Sequence, residues 1–148
     1  MAIPAVVNPA LGTTFAHGVA GSPPTYTLIA QVTSIDGPES EMGTVETTNL
    51  ASVAKTYRKS LFDGNEVSIE LQLDPKSDTH VLLTGLFFGN TQISSGELWQ
   101  IVFADATNGP SKVTFSAIIT KLGPSGMEPE SNMTANMTVK ISGLVVWT

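Results

Sequence analysis

The 148-residue sequence predicts a mainly β protein, an antiparallel β-sandwich or barrel with one flanking α-helix. Roughly six or seven segments alternate apolar with polar residues at the two-residue period of a strand. A single segment has helical spacing. The connections between strands resemble hairpin turns, which favours antiparallel pairing over the long crossovers of a parallel sheet. A chain of this length suffices for one domain with its own core, spanning residues 1–148.

The central predicted strand follows a turn at Asp63 and Gly64 and shows the clearest alternation in the chain. Its apolar face comprises Val67, Ile69, Leu71 and Leu73, and its polar face comprises Ser68, Glu70 and Gln72. A strand with two such faces packs one side on a core and turns the other toward water. Asp74 and Pro75 end it, because proline has no N–H to donate to a neighbouring strand.

The predicted helix follows within residues 75–88. Ser77 or Asp74 is expected to cap its start, and Gly85 and Gly89 are expected to weaken or end it. Its predicted inward stripe consists of Val81, Leu82, Leu86 and Phe87. His80 lies on this helix and is expected to be partly exposed or hydrogen-bonded rather than catalytic.

Further strands are predicted before and after this centre, at residues 11–16, 25–35, 97–105, 112–122 and 132–142. In the last of them Thr134, Asn136 and Thr138 form a polar face that alternates with apolar residues. Residues 1–10 are expected to be either a disordered terminus or an extended arm that docks on a neighbouring subunit. Residues 144–148 form a short apolar tail.

Residues 37–62 lack regular alternation and are predicted to be a long loop, with at most a short strand at 45–48. A loop of this length in a compact domain is usually functional or mobile. Its acids come first and its bases come later, beside two aromatic residues. Such segregated charge suits head-to-tail contact between copies of one protein, and a solvated flexible loop is the alternative.

The composition excludes several classes of function. Seven basic and thirteen acidic residues give a net charge of −6, which argues against a surface that grips phosphate backbones. The chain contains no cysteine, so it has no disulfide, thiol chemistry or cysteine-ligated metal. Its apolar runs are too short for a transmembrane helix, and its start does not resemble a secretory signal.

Motifs that carry chemistry are missing. His17 and His80 are far apart in the sequence and have no familiar metal-ligand spacing. No nucleophile elbow, dinucleotide fingerprint or phosphate-binding loop occurs, so we expect no catalytic residues, no cofactor and no metal. The polar strand faces are the unusual feature. If many copies closed into a ring, such faces would line a pore whose acidic or neutral wall lets DNA slide rather than bind.

Several segments, in order, resemble the major tail tube proteins of long-tailed (siphovirus-type) bacteriophages. They are GTVETTNLASVAKTYRKSL (43–61), LFDGNEVSIELQLDP (61–75), THVLLTGLF (79–87), ELWQIVFAD (97–105), KVTFSAIITKLGPSG (112–126) and NMTANMTVKISG (132–143). The resemblance covers nearly all of residues 25–143. The sequence departs from the family pattern at 104–106, where a turn glycine is common, and in a slightly long connector at 90–96.

The resemblance implies a structural virion protein whose hexameric rings stack into the tail tube. The tube is the conduit for the tape-measure protein and for DNA, and it ends at tail terminator and tail tip proteins. The chain would be made in the host bacterial cytoplasm and would need no membrane. The implied contacts between copies are Tyr57, Arg58, Lys59, Phe62, Glu39 and Glu41, and the implied lumen residues are Ser68, Glu70, Gln72, Thr134, Asn136 and Thr138.

Two other functions stay open at this point. The tube of a contractile tail or of a type VI-like injection system would share the fold. A carbohydrate-binding β-sandwich would need a row of exposed aromatic side chains, whereas Trp99 and Trp147 are better explained as a core residue and an interface residue.

Overall fold

A computed structural model describes residues 11–19, 21–89, 96–104 and 111–148. The predicted arm at 1–10 and most of the connector at 90–96 lie outside these ranges. The elements are β1 (Thr14–Val19), β2 (Thr25–Leu28), β3 (Val32–Asp36), β4 (Glu41–Glu46), β5 (Tyr57–Asp63), β6 (Glu66–Gln72), α1 (Asp78–Phe88), β7 (Glu97–Phe103), β8 (Ser111–Ser125), β9 (Thr134–Ile141) and β10 (Val146–Trp147). This mainly β architecture with one helix confirms the predicted fold class.

The main sheet has the strand order β2-β1-β7-β8-β9-β6-β3, and each neighbouring pair is antiparallel. β2 and β3 are consecutive in the chain, yet β2 pairs with β1 at one edge and β3 pairs with β6 at the other. Between them, the Ile29 N–H donates to Phe15 and the Gln31 carbonyl accepts from Gln72, both at 2.9 Å. The segment therefore joins the two edges and closes the sheet into a barrel.

This closure corrects the prediction of one continuous strand at 25–35. The strand is interrupted where Gln31 adopts a positive φ of 59°, a conformation that bends the chain away from β1 and toward β6. Both faces of this segment are mixed in the sequence because its two halves serve different edges. A bent strand that changes partners is a known way to turn a corner in a closed sheet.

The core lies inside the barrel and is formed by the inward faces of its strands. Trp99 is fully buried, stacks on Phe15 at a ring distance of 5.1 Å, and donates its indole N–H to the Ala117 carbonyl at 3.1 Å. The other buried apolar side chains of the strands are Ala16, Val67, Ile69, Leu71, Ile101, Val113, Phe115, Ala117, Ile119, Ala135, Met137, Val139 and Ile141. The alternation read from β6 and β9 therefore identifies their core faces correctly.

Helix α1 packs on the barrel through His80, Leu83 and Leu86, which are buried. The predicted stripe is wrong at Val81, which is 51% exposed. The helix is apolar around most of its circumference, so its periodicity does not select a face. Its orientation is set instead by hydrogen bonds to the bend between β2 and β3: His80 Nε2 lies 2.9 Å from the Ala30 carbonyl oxygen, and the Ala30 N–H donates to Thr79 Oγ1.

Both ends of α1 match the prediction. Ser77 is the N-cap, and its Oγ accepts a hydrogen bond from the His80 backbone N–H at 3.3 Å. Gly89 is the C-cap. His80 is hydrogen-bonded, as expected, and it is buried rather than partly exposed: Nδ1 lies 3.0 Å from both the backbone nitrogen and the carbonyl oxygen of Asp74.

Residues 37–62 differ most from the prediction. Instead of a long loop with a short strand at 45–48, most of the segment forms a hairpin in which β4 pairs with β5 as a separate two-stranded sheet. The tail at 144–148 is also partly ordered, since β10 pairs with β8. Several strand bounds also shift: β1 spans Thr14–Val19 rather than 11–16, and β8 continues to Ser125, into a segment predicted as a loop.

Candidate functional site

The polar rows of β6 and β9 form one surface. In the register of the two strands Ser68 is opposite Thr138, Glu70 is opposite Asn136 and Gln72 is opposite Thr134. Residues directly opposite each other on antiparallel strands point to the same side of the sheet. Their apolar neighbours on both strands are at most 2% exposed, so the polar rows face away from the core. The structure thus brings together all six side chains that the sequence indicated as lumen candidates.

This polar face continues onto both neighbouring strands. On one side Ser34 and Asp36 of β3 are opposite Glu70 and Ser68. On the other side Lys121 of β8 is opposite Thr138. Lys121, together with Lys140 of β9, adds positive charge to a face that was predicted from the sequence to be acidic or neutral. The result is a hydroxyl- and amide-rich wall with scattered charges of both signs.

A cleft of about 390 Å³ lies where the polar face meets the base of the hairpin. We call it the acidic cleft, and it is lined by Asp36, Gly37, Glu39, Glu41, Asn65, Glu66, Ser68 and Lys140. Four carboxylates against one ammonium leave the lining with a net charge of −3. Lys140 Nζ also lies 3.6 Å from Asp63 Oδ1, an exposed pair of little energetic weight that further reduces the positive charge available in the cleft.

The hairpin of β4 and β5 projects with both of its faces open. All six residues of β4 are exposed, and Phe62 is the one residue of β5 that is partly buried. The exposed side chains include apolar ones, namely Met42, Val45, Leu50, Val53, Tyr57 and Leu61. A two-stranded hairpin is at best marginally stable in water without packing on one face. The apolar side chains of this hairpin therefore need a cover from outside the described barrel.

The contact residues predicted within 37–62 fall into two places. Glu39 and Glu41 line the acidic cleft at the base of the hairpin. Tyr57, Arg58 and Lys59 are exposed on β5, toward the tip. Arg58 and Asp63 are five residues apart on β5, which at about 3.3 Å per residue separates their backbones by about 17 Å. Glu39 and Glu41 are thus separated in space from Arg58 and Lys59, whereas Glu46, the third acid of the segment, lies on β4 opposite Tyr57.

The part of the chain that the structure describes offers few features of a metal site or of a membrane-spanning helix. No group of three or more histidine, aspartate or glutamate side chains there has the proximity to hold a metal ion. His17 and Glu97 form a buried pair at 3.3 Å beside the edge of Trp99, which sequence reasoning missed because 80 residues separate them. No helix among the described residues has the length and apolar character required to span a bilayer.

The fold is shared with proteins of several tail-like machines. The SPP1 tail tube has a TM-score of 0.66 at 9% identity, covering 95% of this chain and 79% of that chain. A protein from the tail of an empty GTA particle has a TM-score of 0.66 at 16% identity, covering 91% and 94%. A protein of an extracellular contractile injection system, from its sheath–tube complex, has a TM-score of 0.70 at 13% identity, covering 96% and 91%. No curated protein sequence matches the chain.

The family model described as phage tail tube, TTP, lambda-like matches residues 14–148, from the first described strand to the end of the chain. The match includes the barrel, the helix, the hairpin and the polar face. It confirms the resemblance to tail tube proteins of long-tailed phages and the structural role that the resemblance implied. Tail tube proteins are part of the virion tail. The chain belongs to the lambda-like family of phage tail tube proteins.

Proposed function

We propose that this chain assembles into hexameric rings that stack into the tail tube, with the polar face lining the bore. The observation that carries the proposal is the continuous polar face, in which six polar side chains from β6 and β9 are paired across the strands over a fully buried apolar layer. A monomer needs no such uniform wall, whereas a tube needs one on every subunit.

The chemistry of the wall suits the passage of nucleic acid. Hydroxyl and amide groups are well hydrated, and the carboxylates of Glu70 and Asp36 repel phosphate. The face carries few basic side chains, namely Lys121 and Lys140, and Lys140 lies beside Asp63. Proteins bind the DNA backbone mainly through clustered lysine and arginine side chains, which displace counterions from the phosphates. A wall with few such side chains therefore lets DNA slide. Such a lumen would hold the tape-measure protein first and pass the genome later.

The hairpin supports assembly in the same scheme. Its exposed apolar residues and its unpaired faces call for a partner, and a neighbouring subunit supplies one at every position of a symmetric assembly. The residues proposed to make these contacts are Tyr57, Arg58, Lys59, Phe62, Glu39 and Glu41. The arm at 1–10 and the tail at 144–148 are proposed to bridge subunits as well. A similar fold occurs in a tail solved with C6 symmetry, which supports six subunits per ring.

The proposed partners beyond the chain itself follow from the position of a tube in a virion. They are the tape-measure protein inside the bore and terminator and tip proteins at the two ends. A solved neighbour from a tube-terminating cap, with a TM-score of 0.68 and 12% identity, supports contacts of this fold with end-closing assemblies. We propose synthesis in the host bacterial cytoplasm, no contact with a membrane, and no enzymatic activity.

A tube in a contractile machine is the second candidate, because the fold of the injection-system protein superposes as well as that of the SPP1 tube. A contractile tail requires a sheath that grips the outside of the tube. Co-expression with a candidate sheath protein separates the two cases, since a non-contractile tube leaves the sheath unbound.

Negative-stain electron microscopy of the purified chain, with light scattering over a concentration series, tests the proposal. We expect hollow tubes or stacked rings of uniform width above a critical concentration. Solid filaments would contradict it. So would a monomer that fails to add to tail tips from the same phage. In that case a glycan-binding screen would examine the carbohydrate-binding alternative.

A further inference from the structure

β6 and β9, at the centre of the polar face, keep one register along the whole of β6. The strands on either side of them do not. On β3, Val32 is opposite Leu71 and Ser34 is opposite Glu70, which leaves Thr33 as an extra residue. A strand with one residue more than its partner forms a β-bulge. The polar face is therefore flanked by a bulge on β3, and β8 carries a second one on the other side.

The bulge on β8 lies between Ile119, which is opposite Val139, and Lys121, which is opposite Thr138. Thr120 is its extra residue. Residues two apart on a regular strand point to the same side of the sheet. Because of the bulge, Ile119 is buried in the core while Lys121 is exposed on the polar face. A regular strand would turn this lysine toward the core.

The extra residue of each bulge is a threonine whose hydroxyl binds the partner strand. Thr33 donates to the Glu70 carbonyl at 3.1 Å, and Thr120 donates to the Thr138 carbonyl at 3.3 Å. Glu70 is opposite Asn136, which is two residues from Thr138 on β9, so the heights of the two bulges along the strands differ by about 7 Å. Both flanking strands are thus interrupted at nearly the same height of the polar face.

We infer that these two bulges, held by Thr33 and Thr120, set the curvature of the polar face and thereby the number of subunits in a ring. A bulge bends its strand and increases the local twist, and bulges at defined positions are a means of curving a sheet. The inference rests on the proposed function, in which the polar face lines the bore. Thr33 and Thr120 are positioning residues, because they act through the shape of the sheet.

The change in curvature that alters a ring is small. Neighbouring subunits meet at about 60° in a ring of six and at about 51° in a ring of seven, a difference of about 9° for each subunit. Adjacent strands of a sheet are already rotated by roughly 20–25° relative to each other. A change of less than half of one such rotation therefore separates one closed ring from the next.

Deleting the extra residue of each bulge tests the inference directly. Deletion of Thr33 or of Thr120 makes the register of its strand continuous. Every other residue keeps its partner and its side of the sheet, so the core contains the same side chains. The matched control lacks Ser131, an exposed hydroxyl residue in the loop between β8 and β9. Circular dichroism and urea unfolding check that each subunit is folded.

Electron microscopy measures the rotational symmetry of the rings in end-on views and the width of the tubes in side views. The chain that lacks both threonines is expected to shift the symmetry by at least one subunit, which changes the circumference of a hexamer by about one sixth. The Ser131 control should match the parent chain. Rings with the symmetry and width of the parent from the folded double-deletion chain would overturn the inference.

A milder pair of variants is used if the double-deletion chain does not fold or does not assemble. Thr33→Val with Thr120→Val keeps both extra residues and their branched shape but removes the hydroxyl donors. This variant is expected to give mixed symmetries and a broader spread of tube widths, because the bulges are no longer held in one geometry. Thr33→Ser with Thr120→Ser retains the donors and should restore a uniform width. The uniform width of the parent in the valine variant would overturn the inference.

A crystal structure of the free double-deletion subunit separates this inference from the proposed function. The angle between β3 and β8 across the polar face should be smaller than in the parent subunit, because the extra local twist of the bulges is lost. A smaller angle, with no tubes from the parent chain, would retain the role of the bulges in shaping the sheet and reject the tube. Tubes from the parent chain, with an unchanged angle in the deletion subunit, would retain the tube and reject the role of the bulges.

Discussion

Glu70 of β6 lies directly opposite Asn136 of β9, 66 positions further along the chain, on the solvent side of the barrel wall. The two residues come from segments that are separated by the helix, by β7 and by β8. Their pairing converts two separate polar rows into one surface. Because the layer beneath it is fully buried, this surface has freedom to vary in charge without disturbing the core.

Placing positive charge at this pair should increase the amount of DNA that a tube retains. Tubes of a Glu70→Lys and Asn136→Lys variant are expected to assemble and to retain short duplex DNA at low salt, because lysines exchange counterions with phosphate. Retention should fall as salt rises. The measurement is co-sedimentation followed by nuclease digestion, since DNA inside a bore is protected.

The matched control carries Thr25→Lys and Thr27→Lys on β2, which is not part of the polar face. Any DNA held by these tubes is expected to be digested by nuclease. Nuclease-sensitive DNA on the Glu70 and Asn136 variant would place the polar face on the outside of the tube and contradict the proposed orientation.

His80 is predicted to hold α1 on the barrel. Its ring lies within hydrogen-bonding distance of the Ala30 carbonyl and of the Asp74 backbone N–H, at a site that is 2% exposed. His80→Ala removes the ring that contacts the Ala30 carbonyl and the Asp74 N–H and opens a cavity, so we expect a loss of about 2–4 kcal/mol in unfolding free energy. Urea denaturation of the monomer measures it.

Val81→Ala provides the comparison, because Val81 is the next residue of the helix and is half exposed. It is expected to cost less than about 1 kcal/mol in the monomer. Equal losses for the two variants would mean that the hydrogen bonds of His80 do not anchor the helix.

Trp99 is predicted to be the most sensitive core position. It is fully buried, stacks on Phe15 and donates to the Ala117 carbonyl. Trp99→Phe keeps an aromatic ring but leaves that buried carbonyl without the indole donor, at a cost of about 1–3 kcal/mol. Trp99→Ala should cost more, about 3–5 kcal/mol. Thermal or urea unfolding distinguishes the two, and a Trp99→Phe variant as stable as the parent would show that the hydrogen bond carries no net stability.

How much of this structure the sequence predicts depends on whether a segment has one buried face. β6 and β9 each pack one side on the core, so their alternation identified the polar rows and the fold class. The hairpin at 41–63 has no buried face, and both of its strands are exposed throughout most of their length. Without a core to select apolar positions, no period appears in the sequence, and the segment was predicted as a loop.

Two other differences between the prediction and the structure also arise because contacts between distant segments, and not the local sequence, determine the outcome. The strand predicted at 25–35 changes partners at Gln31. The local sequence does not indicate which edge of the sheet each half of this segment pairs with. The inward face of α1 was misassigned at Val81, because apolar residues surround the helix and the hydrogen bonds of His80 select its orientation. The acidic cleft was not predicted as a surface, since Glu39 and Glu66 meet there only once β3, β6 and the base of the hairpin are assembled.

The most direct test of the central claim asks which side of the subunit faces the bore. The chain has no cysteine, so a single Asn136→Cys substitution gives one defined thiol on the polar face, and Thr25→Cys gives one on β2. Assembled tubes are treated with a maleimide carried by a globular protein several times larger than this chain, and dissociated subunits are treated in parallel. The account predicts that both thiols react in subunits, and that in tubes Thr25→Cys reacts while Asn136→Cys is protected. Equal labelling of both thiols in intact tubes would contradict it.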